Sequence, residues 1–131
     1  LVKQHPWLGV GYRCVTTRVM KNISRTVEGD RTHLHSNPIE VLVETGVIGL
    51  AVYLWWMVAG LRDAARFVRR TRAGPAAQSV VSLVLLLSLS ALLLNGLVEY
   101  NFGDAEIILI YGLILGGAAA GASTLAPEPS D

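Results

Sequence analysis

One histidine in this sequence stands where it could act as a general base. His35 precedes Asn37 and Pro38, two residues that favour the start of a helix. Glu40 follows Asn37 by three positions, close to a capping box. A neutral imidazole can take a proton from a hydroxyl near pH 7, and a helix N-terminus disfavours the imidazolium and attracts phosphate. The alternative is an interfacial histidine that only makes hydrogen bonds within its loop.

Acidic residues lie close to this histidine in the sequence. Glu44 falls on the same helical face as Glu40, where an apolar run begins and an unpaired acid is costly. It could orient the histidine loop, pair with a basic residue of the N-terminal region, or remain a solvated interfacial acid. Glu99, Asp104 and Glu106 flank a later turn, and they would be functional only if that turn faces the same cavity.

Several basic residues precede the helix. Their guanidinium groups could hold phosphate oxygens, or they could form a solvated loop near anionic lipid; they are Arg13, Arg18, Arg25 and Arg31. His5, His33 and His35 offer no evident fourth ligand, so neither a metal nor another cofactor is predicted. Cys14 is the only cysteine, which excludes an internal disulfide.

Composition places these residues in a membrane protein. Of 131 residues, 52% are hydrophobic and 16% are charged, against about 25% charged in soluble domains. The predicted fold is an all-α polytopic membrane protein, part of a larger helical bundle. Its three transmembrane helices span residues 38–61, 76–98 and 105–122. They follow a partly structured loop, residues 1–37. Because the sequence opens abruptly without Met, we expect the C-terminal piece of a longer protein.

Charge predicts the orientation of the chain. Residues 62–75 contain five arginines and one aspartate, which indicates a cytoplasmic loop. Residues 1–37 and the turn at 99–104 then lie on the periplasmic side, and a disordered tail, residues 123–131, is cytoplasmic. A nucleic-acid site is not expected in so short a loop between two spans. Glycine and alanine recur every four residues in the third span, a pattern that lets helix backbones approach closely.

Two stretches resemble elements of a known family. Residues 5–11, His-Pro-Trp-Leu-Gly-Val-Gly, resemble the HPLxGxGxG element of the O-antigen ligase and polymerase superfamily. Residues 35–49, which include Glu44 and Gly46, resemble its HNxxLxxxxExGxxG element. The turn at residues 99–106 is similar to a stretch in many bacterial members. The resemblance covers nearly the whole chain except the tail.

The resemblance implies a bacterial inner-membrane glycosyltransferase of many helices. Such an enzyme transfers a glycan from undecaprenyl diphosphate to an acceptor hydroxyl at the periplasmic face of the lipid membrane. The acceptor is the lipid A-core sugar for a ligase and another repeat unit for a polymerase. By register the family's base is His35, whereas His33 falls outside the pattern. The candidates for substrate contacts are Arg13, Arg31, Asn37 and Glu44.

The sequence also departs from the family pattern. Ser36 stands where asparagine is common, which we interpret as a variation of the helix cap. Tyr12 and Arg13 replace the usual third glycine, and the family's diphosphate-binding arginines lie mainly upstream of residues 5–11. A transporter is the competing class of function, but the acids cluster at the ends of the spans, which favours an interfacial site. A purely structural membrane fragment is the third possibility.

Overall fold

Three helices make up most of the structure. The computed structural model describes residues 5–11, 14 and 35–124. Its helices are α1 (Asn37–Thr71), α2 (Ala76–Val98) and α3 (Ala105–Thr124), and each is long and apolar enough to cross a membrane. The described residues contain no strand, so the predicted all-α membrane class is confirmed.

The first helix is longer than the sequence predicted. It was expected to end at Leu61, with an arginine-rich loop after it, but it continues to Thr71. Residues at helical spacing on one side of this extension are buried; they are Ala64, Phe67 and Thr71. Arg66 and Arg69 are exposed on the other side, and the exposed Arg70 donates a hydrogen bond to the Ala122 carbonyl. The arginines therefore form the polar face of a helix, because arginine is a good helix former, and only residues 72–75 form the turn.

Backbone hydrogen bonds define where the helices begin. The Ser36 carbonyl accepts the Glu40 N–H at 2.9 Å, so Ser36 rather than Asn37 stands before the first turn of α1. The carbonyls of Pro75 and Asp104 accept the corresponding bonds of α2 and α3. The expected cap therefore moves one residue toward the N-terminus, and the Asn37 side chain is available for another partner.

The chain divides into two compact units. The first takes in the described residues up to Trp55 together with Asn95–Phe102, and the second begins at Trp56 and resumes at Gly103. In the second unit, small residues allow the helices to approach: a Cβ on Gly60 or Gly121 would run into Leu115 or Phe67. The candidate site lies in the first unit.

Glycines of α3 differ in what surrounds them. A Cβ on Gly117 would make an ordinary contact with Leu85. A Cβ on Gly112 or Gly116 would have no described heavy atom within 4 Å. The small-residue repeat predicted for this helix is therefore packed on one side and open on the other.

Candidate functional site

Helix α1 is interrupted at Gly46. This residue has φ 70° and ψ −169°, which divides the helix into a first arm, residues 37–45, and a second arm, residues 47–71. Such a backbone conformation is essentially restricted to glycine. At 1.5 Å per residue the first arm is about 14 Å long, too short to cross a bilayer, whereas the second is about 37 Å long. Of the two arms, the second is therefore the one with the length needed to span a membrane.

The stretch at residues 5–11, which we call the clip segment, binds to this interruption. Val10 N–H donates to the Val43 carbonyl at 3.0 Å, and Gly11 N–H donates to the Glu44 carbonyl at 2.9 Å. In the opposite direction, Val47 N–H donates to the Pro6 carbonyl at 2.9 Å. Unpaired backbone groups are costly away from water, so the clip segment replaces hydrogen bonds that the helix loses at its interruption.

Two glycines make this close approach possible. A Cβ on Gly9 would collide with the backbone of Glu44, and a Cβ on Gly46 would collide with the backbone of Trp7. Gly9 also has a positive φ of 66°. Each glycine thus faces the backbone of the other segment, and the two motifs recognised in the sequence form one structural unit.

Both arms of α1 reach the turn that follows α2. The side chain of Asn37, in the first arm, hydrogen-bonds there with Asn101. The ring of Tyr53, in the second arm, packs edge-on against Phe102, with ring centroids 5.4 Å apart. In a straight helix, Asn37 and Tyr53 would lie about 24 Å apart. The interruption at Gly46 therefore folds the first arm back toward the second.

Three hydrogen bonds, which we call the asparagine lock, tie the start of α1 to this turn. Asn37 Nδ2 donates to Asn101 Oδ1 at 2.9 Å. The backbone N–H groups of Asn101 and Phe102 both donate to Asn37 Oδ1, at 3.0 and 3.1 Å. Asn37 is fully buried and Asn101 is 8% exposed. A Cβ on Gly96 would collide with the Asn37 amide, so this glycine leaves room for the lock.

The lock places His35 beside Glu99. His35 Nδ1 lies 3.8 Å from Glu99 Oε1, and the two side chains are 61% and 53% exposed. Each residue precedes an asparagine of the lock by two positions. A buried, fully paired contact thus carries an exposed imidazole and an exposed carboxylate, which are groups that can move a proton.

The other predicted site residues have different locations. Arg13 and Arg31 lie outside the described residues, so the structure does not place them. Asn37 was expected to contact substrate, but its buried amide is occupied by the asparagine lock. Glu44 is 5% exposed, and its carbonyl is bound by the clip segment. Among the predicted site residues that the structure describes, His35 alone is exposed, and Glu99 lies beside it.

Sequence reasoning missed the interruption and the lock. Glycines in both family-like stretches were the available signal for the interruption, because Gly9 and Gly46 sit where backbones meet. Asn101, between two aromatic residues in a short turn, was the signal for the lock. The acids of that turn were expected to matter only if the turn faced the histidine, and for Glu99 it does.

Comparison with known protein families finds a match to the N-terminal part of this chain. The sequence model of the O-antigen ligase family matches residues 1–54, which include the clip segment, His35 and both acids of the first arm. Neither a curated protein nor a solved structure matches the chain. The family is one of bacterial membrane proteins with glycan-processing functions of the O-antigen ligase or polymerase type. The match confirms, over residues 1–54, the resemblance to the O-antigen ligase superfamily that the two motifs indicated.

Proposed function

We propose that this chain is part of a membrane glycosyltransferase that moves a glycan from undecaprenyl diphosphate to an acceptor hydroxyl. The observation that carries the proposal is the exposed imidazole of His35, fixed by the asparagine lock within the family-matched region. Transfer takes place at the periplasmic face of the bacterial inner membrane. The acceptor is the lipid A-core sugar, as in a ligase.

In the proposed reaction His35 acts as the general base. Its imidazole takes the proton of the acceptor hydroxyl, and the acceptor oxygen forms a bond to the anomeric carbon of the glycan. The bond from that carbon to the phosphate oxygen breaks, and undecaprenyl diphosphate leaves as the anion. The proton stays on the His35 imidazole until it passes to solvent, to which this side chain is open.

The negative charge of the leaving group needs stabilisation. His35 lies directly before the N-terminus of α1, where helix dipoles favour anions. Arg13 and Arg31 supply guanidinium groups for the diphosphate in this proposal, and further arginines come from elsewhere in the protein. Asn37 and Glu44, which are buried, support this surface and do not contact the substrate directly.

A polymerase reaction uses the same residues with a different acceptor. There the attacking hydroxyl belongs to another glycan repeat unit, and every feature described for His35 remains the same. The acceptor-binding surface decides between ligase and polymerase. Incubation of the complete protein with lipid-linked glycan, either with or without lipid A-core, distinguishes the two, because only a ligase requires lipid A-core.

The interrupted helix is also a feature of transporters, which are the alternative class of function. Transporters use discontinuous helices whose exposed backbone groups bind ions or substrate. Here the carbonyls of Val43 and Glu44 and the N–H of Val47 are occupied by the clip segment. The interruption therefore has a structural partner within the chain, which favours the enzyme.

Replacement of the base tests the proposal. In the complete protein, we expect His35→Ala to lower glycan transfer by about 10²–10⁴-fold, the usual contribution of a positioned base. Transfer is measured by gel analysis of surface glycan in cells that lack the wild-type protein. His33→Ala is the matched control and is expected to retain activity. Unchanged glycan transfer in both His35→Ala and His33→Ala removes His35 from the mechanism. Loss of transfer in His33→Ala, with transfer retained in His35→Ala, moves the base to His33.

A further inference from the structure

We propose that Glu99 is a positioning residue for His35: its carboxylate holds the Nδ1 side of the imidazole, so that Nε2 faces the acceptor hydroxyl. This inference rests on the proposed function and adds to it a residue from the turn that follows α2. Glu99 lies 64 positions after His35 in the sequence and outside the family-matched residues 1–54.

The geometry begins with the asparagine lock. Asn37 and Asn101 are joined through both side-chain amides, and a backbone N–H of the turn adds to the contact. His35 and Glu99 each stand two residues before one of these asparagines. A buried contact with defined hydrogen-bond directions therefore fixes the two backbones from which the imidazole and the carboxylate project.

The atoms that face each other are the ones this role requires. Glu99 Oε1 is nearest to Nδ1 of His35, at 3.8 Å. This distance is longer than a hydrogen bond, and catalytic contacts commonly tighten when substrate binds. A carboxylate that accepts a hydrogen bond from Nδ1–H fixes the tautomer with a free lone pair on Nε2. The same carboxylate stabilises the imidazolium that forms when Nε2 receives the proton.

Stability does not account for this pair. Both side chains are more than half exposed, and exposed ion pairs contribute little to folding. Among the described residues, the bonds that tie this turn to the start of α1 join Asn37 to Asn101 and Phe102. The Glu99 backbone N–H donates to the Asn95 carbonyl, a bond that does not depend on the Glu99 side chain. We therefore expect replacement of the acid at position 99 to leave the fold intact, whereas its place beside His35 suits the role of a positioning residue.

Kinetics of Glu99→Gln in the complete protein test the role. Gln keeps the size of the side chain but cannot hold a positive imidazole as a carboxylate does. The substrates are lipid-linked glycan extracted from the host cells and its lipid A-core acceptor. We expect kcat to fall by about ten- to a hundredfold, part of the contribution of a positioned base, with the KM for the donor within about twofold of wild type. Glu99→Asp is expected to recover part of the loss.

Glu106→Gln is the matched control. Glu106 is an exposed acid in the first turn of α3, and its replacement removes the same charge without touching the lock. We expect wild-type kcat for this variant and unchanged melting temperatures for both. Wild-type kcat in Glu99→Gln, or an equal loss in both variants, overturns the assignment.

A spectroscopic measurement separates this inference from the proposed function. In ¹⁵N-histidine spectra of the purified protein, the His35 signals are those absent from His35→Ala. We expect the wild type to favour the Nδ1–H tautomer and Glu99→Gln to shift the population toward Nε2–H. An unchanged tautomer population contradicts the role of Glu99 whatever the activity. If Glu99→Gln shifts the tautomer population but His35→Ala remains active, Glu99 does position the imidazole, and the proposal that His35 is the base is rejected.

Discussion

At the scale of single residues, burial separates the groups that hold the site from the groups that we propose do the chemistry. Asn37 is fully buried and its amide is committed to three hydrogen bonds. His35 and Glu99 are exposed and share one loose contact. Polar groups that are buried and paired are costly to remove, whereas exposed ion pairs are not. Mutations at these two kinds of position should therefore be distinguishable by stability alone.

The asparagine lock gives the clearest stability prediction. Asn37→Ala leaves the N–H groups of Asn101 and Phe102 and the Asn101 amide without their partner. We expect the free energy of unfolding to fall by about 2–3 kcal/mol, the range for buried polar groups left unpaired. The measurement is thermal unfolding of the detergent-solubilised protein, followed by size-exclusion fluorescence.

Gln78→Ala is the control for this prediction. Gln78 is an exposed amide in the first turn of α2, where loss of the side chain should change stability by less than about 0.5 kcal/mol. An equal melting temperature for Asn37→Ala and wild type would show that the lock contributes nothing to the fold.

At the scale of elements, the interruption of α1 is the feature that organises the site. It lets one continuous helical segment supply both a short arm that carries His35 at its start and a long arm that can cross the membrane. The clip segment satisfies the backbone at this point. The interruption therefore depends on two glycines in segments far apart in the sequence.

Glycine substitutions test that dependence. We expect Gly46→Ala to lower the free energy of unfolding by more than about 2 kcal/mol, because its positive φ is strained for alanine and its Cβ meets the backbone of Trp7. Gly9→Ala should act similarly, through the backbone of Glu44. Thermal unfolding measures both effects.

Gly112→Ala is the matched control, because it makes the same chemical change in a regular helix with open space around the added Cβ. We expect it to be neutral or to stabilise the protein by up to about 1 kcal/mol, since alanine is the better helix former. If Gly46→Ala behaves like Gly112→Ala, the clip segment is not needed for the interruption.

The sequence was informative about elements that depend on local pattern and less so about those that depend on distant contacts. The bounds of α2 coincide with the predicted residues 76–98, because an unbroken apolar run sets them. The non-helical angles of Gly46 could not be predicted, since valine and isoleucine continue the apolar pattern past it and the clip segment that stabilises the break lies far upstream. The register of the family-like motif predicted His35 as the site histidine. Its partner Glu99 could be identified only in the folded structure, where the turn after α2 brings the two side chains together.

At the scale of the whole molecule, the helices make a directional prediction. Helix α2 has 23 residues and hence a length of about 34 Å, enough for its two ends to lie on opposite sides of a bilayer. Excess arginine at the end of α1 predicts, by the positive-inside rule, that the turn at residues 72–75 lies in the cytoplasm. The histidine site, which lies at the other end of α2, is then expected to face the periplasm.

Cysteine labelling tests this orientation in the complete protein with Cys14 and any other cysteine replaced by Ser. Ala105→Cys should react with a membrane-impermeant maleimide applied to intact cells, whereas Ala73→Cys should react only after the membrane is opened. Both positions are exposed alanines, so the two variants differ chiefly in the side of the membrane that they report. Inverted labelling would place the site in the cytoplasm and contradict transfer at the periplasmic face.

The asparagine lock also has a consequence for when the protein becomes active during its synthesis. It joins residues 64 positions apart, and the whole of α2 lies between them and must be inserted first. A nascent chain that has completed only α1 already contains His35 but has neither the lock nor Glu99. If His35 is the base, as proposed, it reaches its working position only after the second span has been inserted, which ties the onset of chemistry to the insertion of α2.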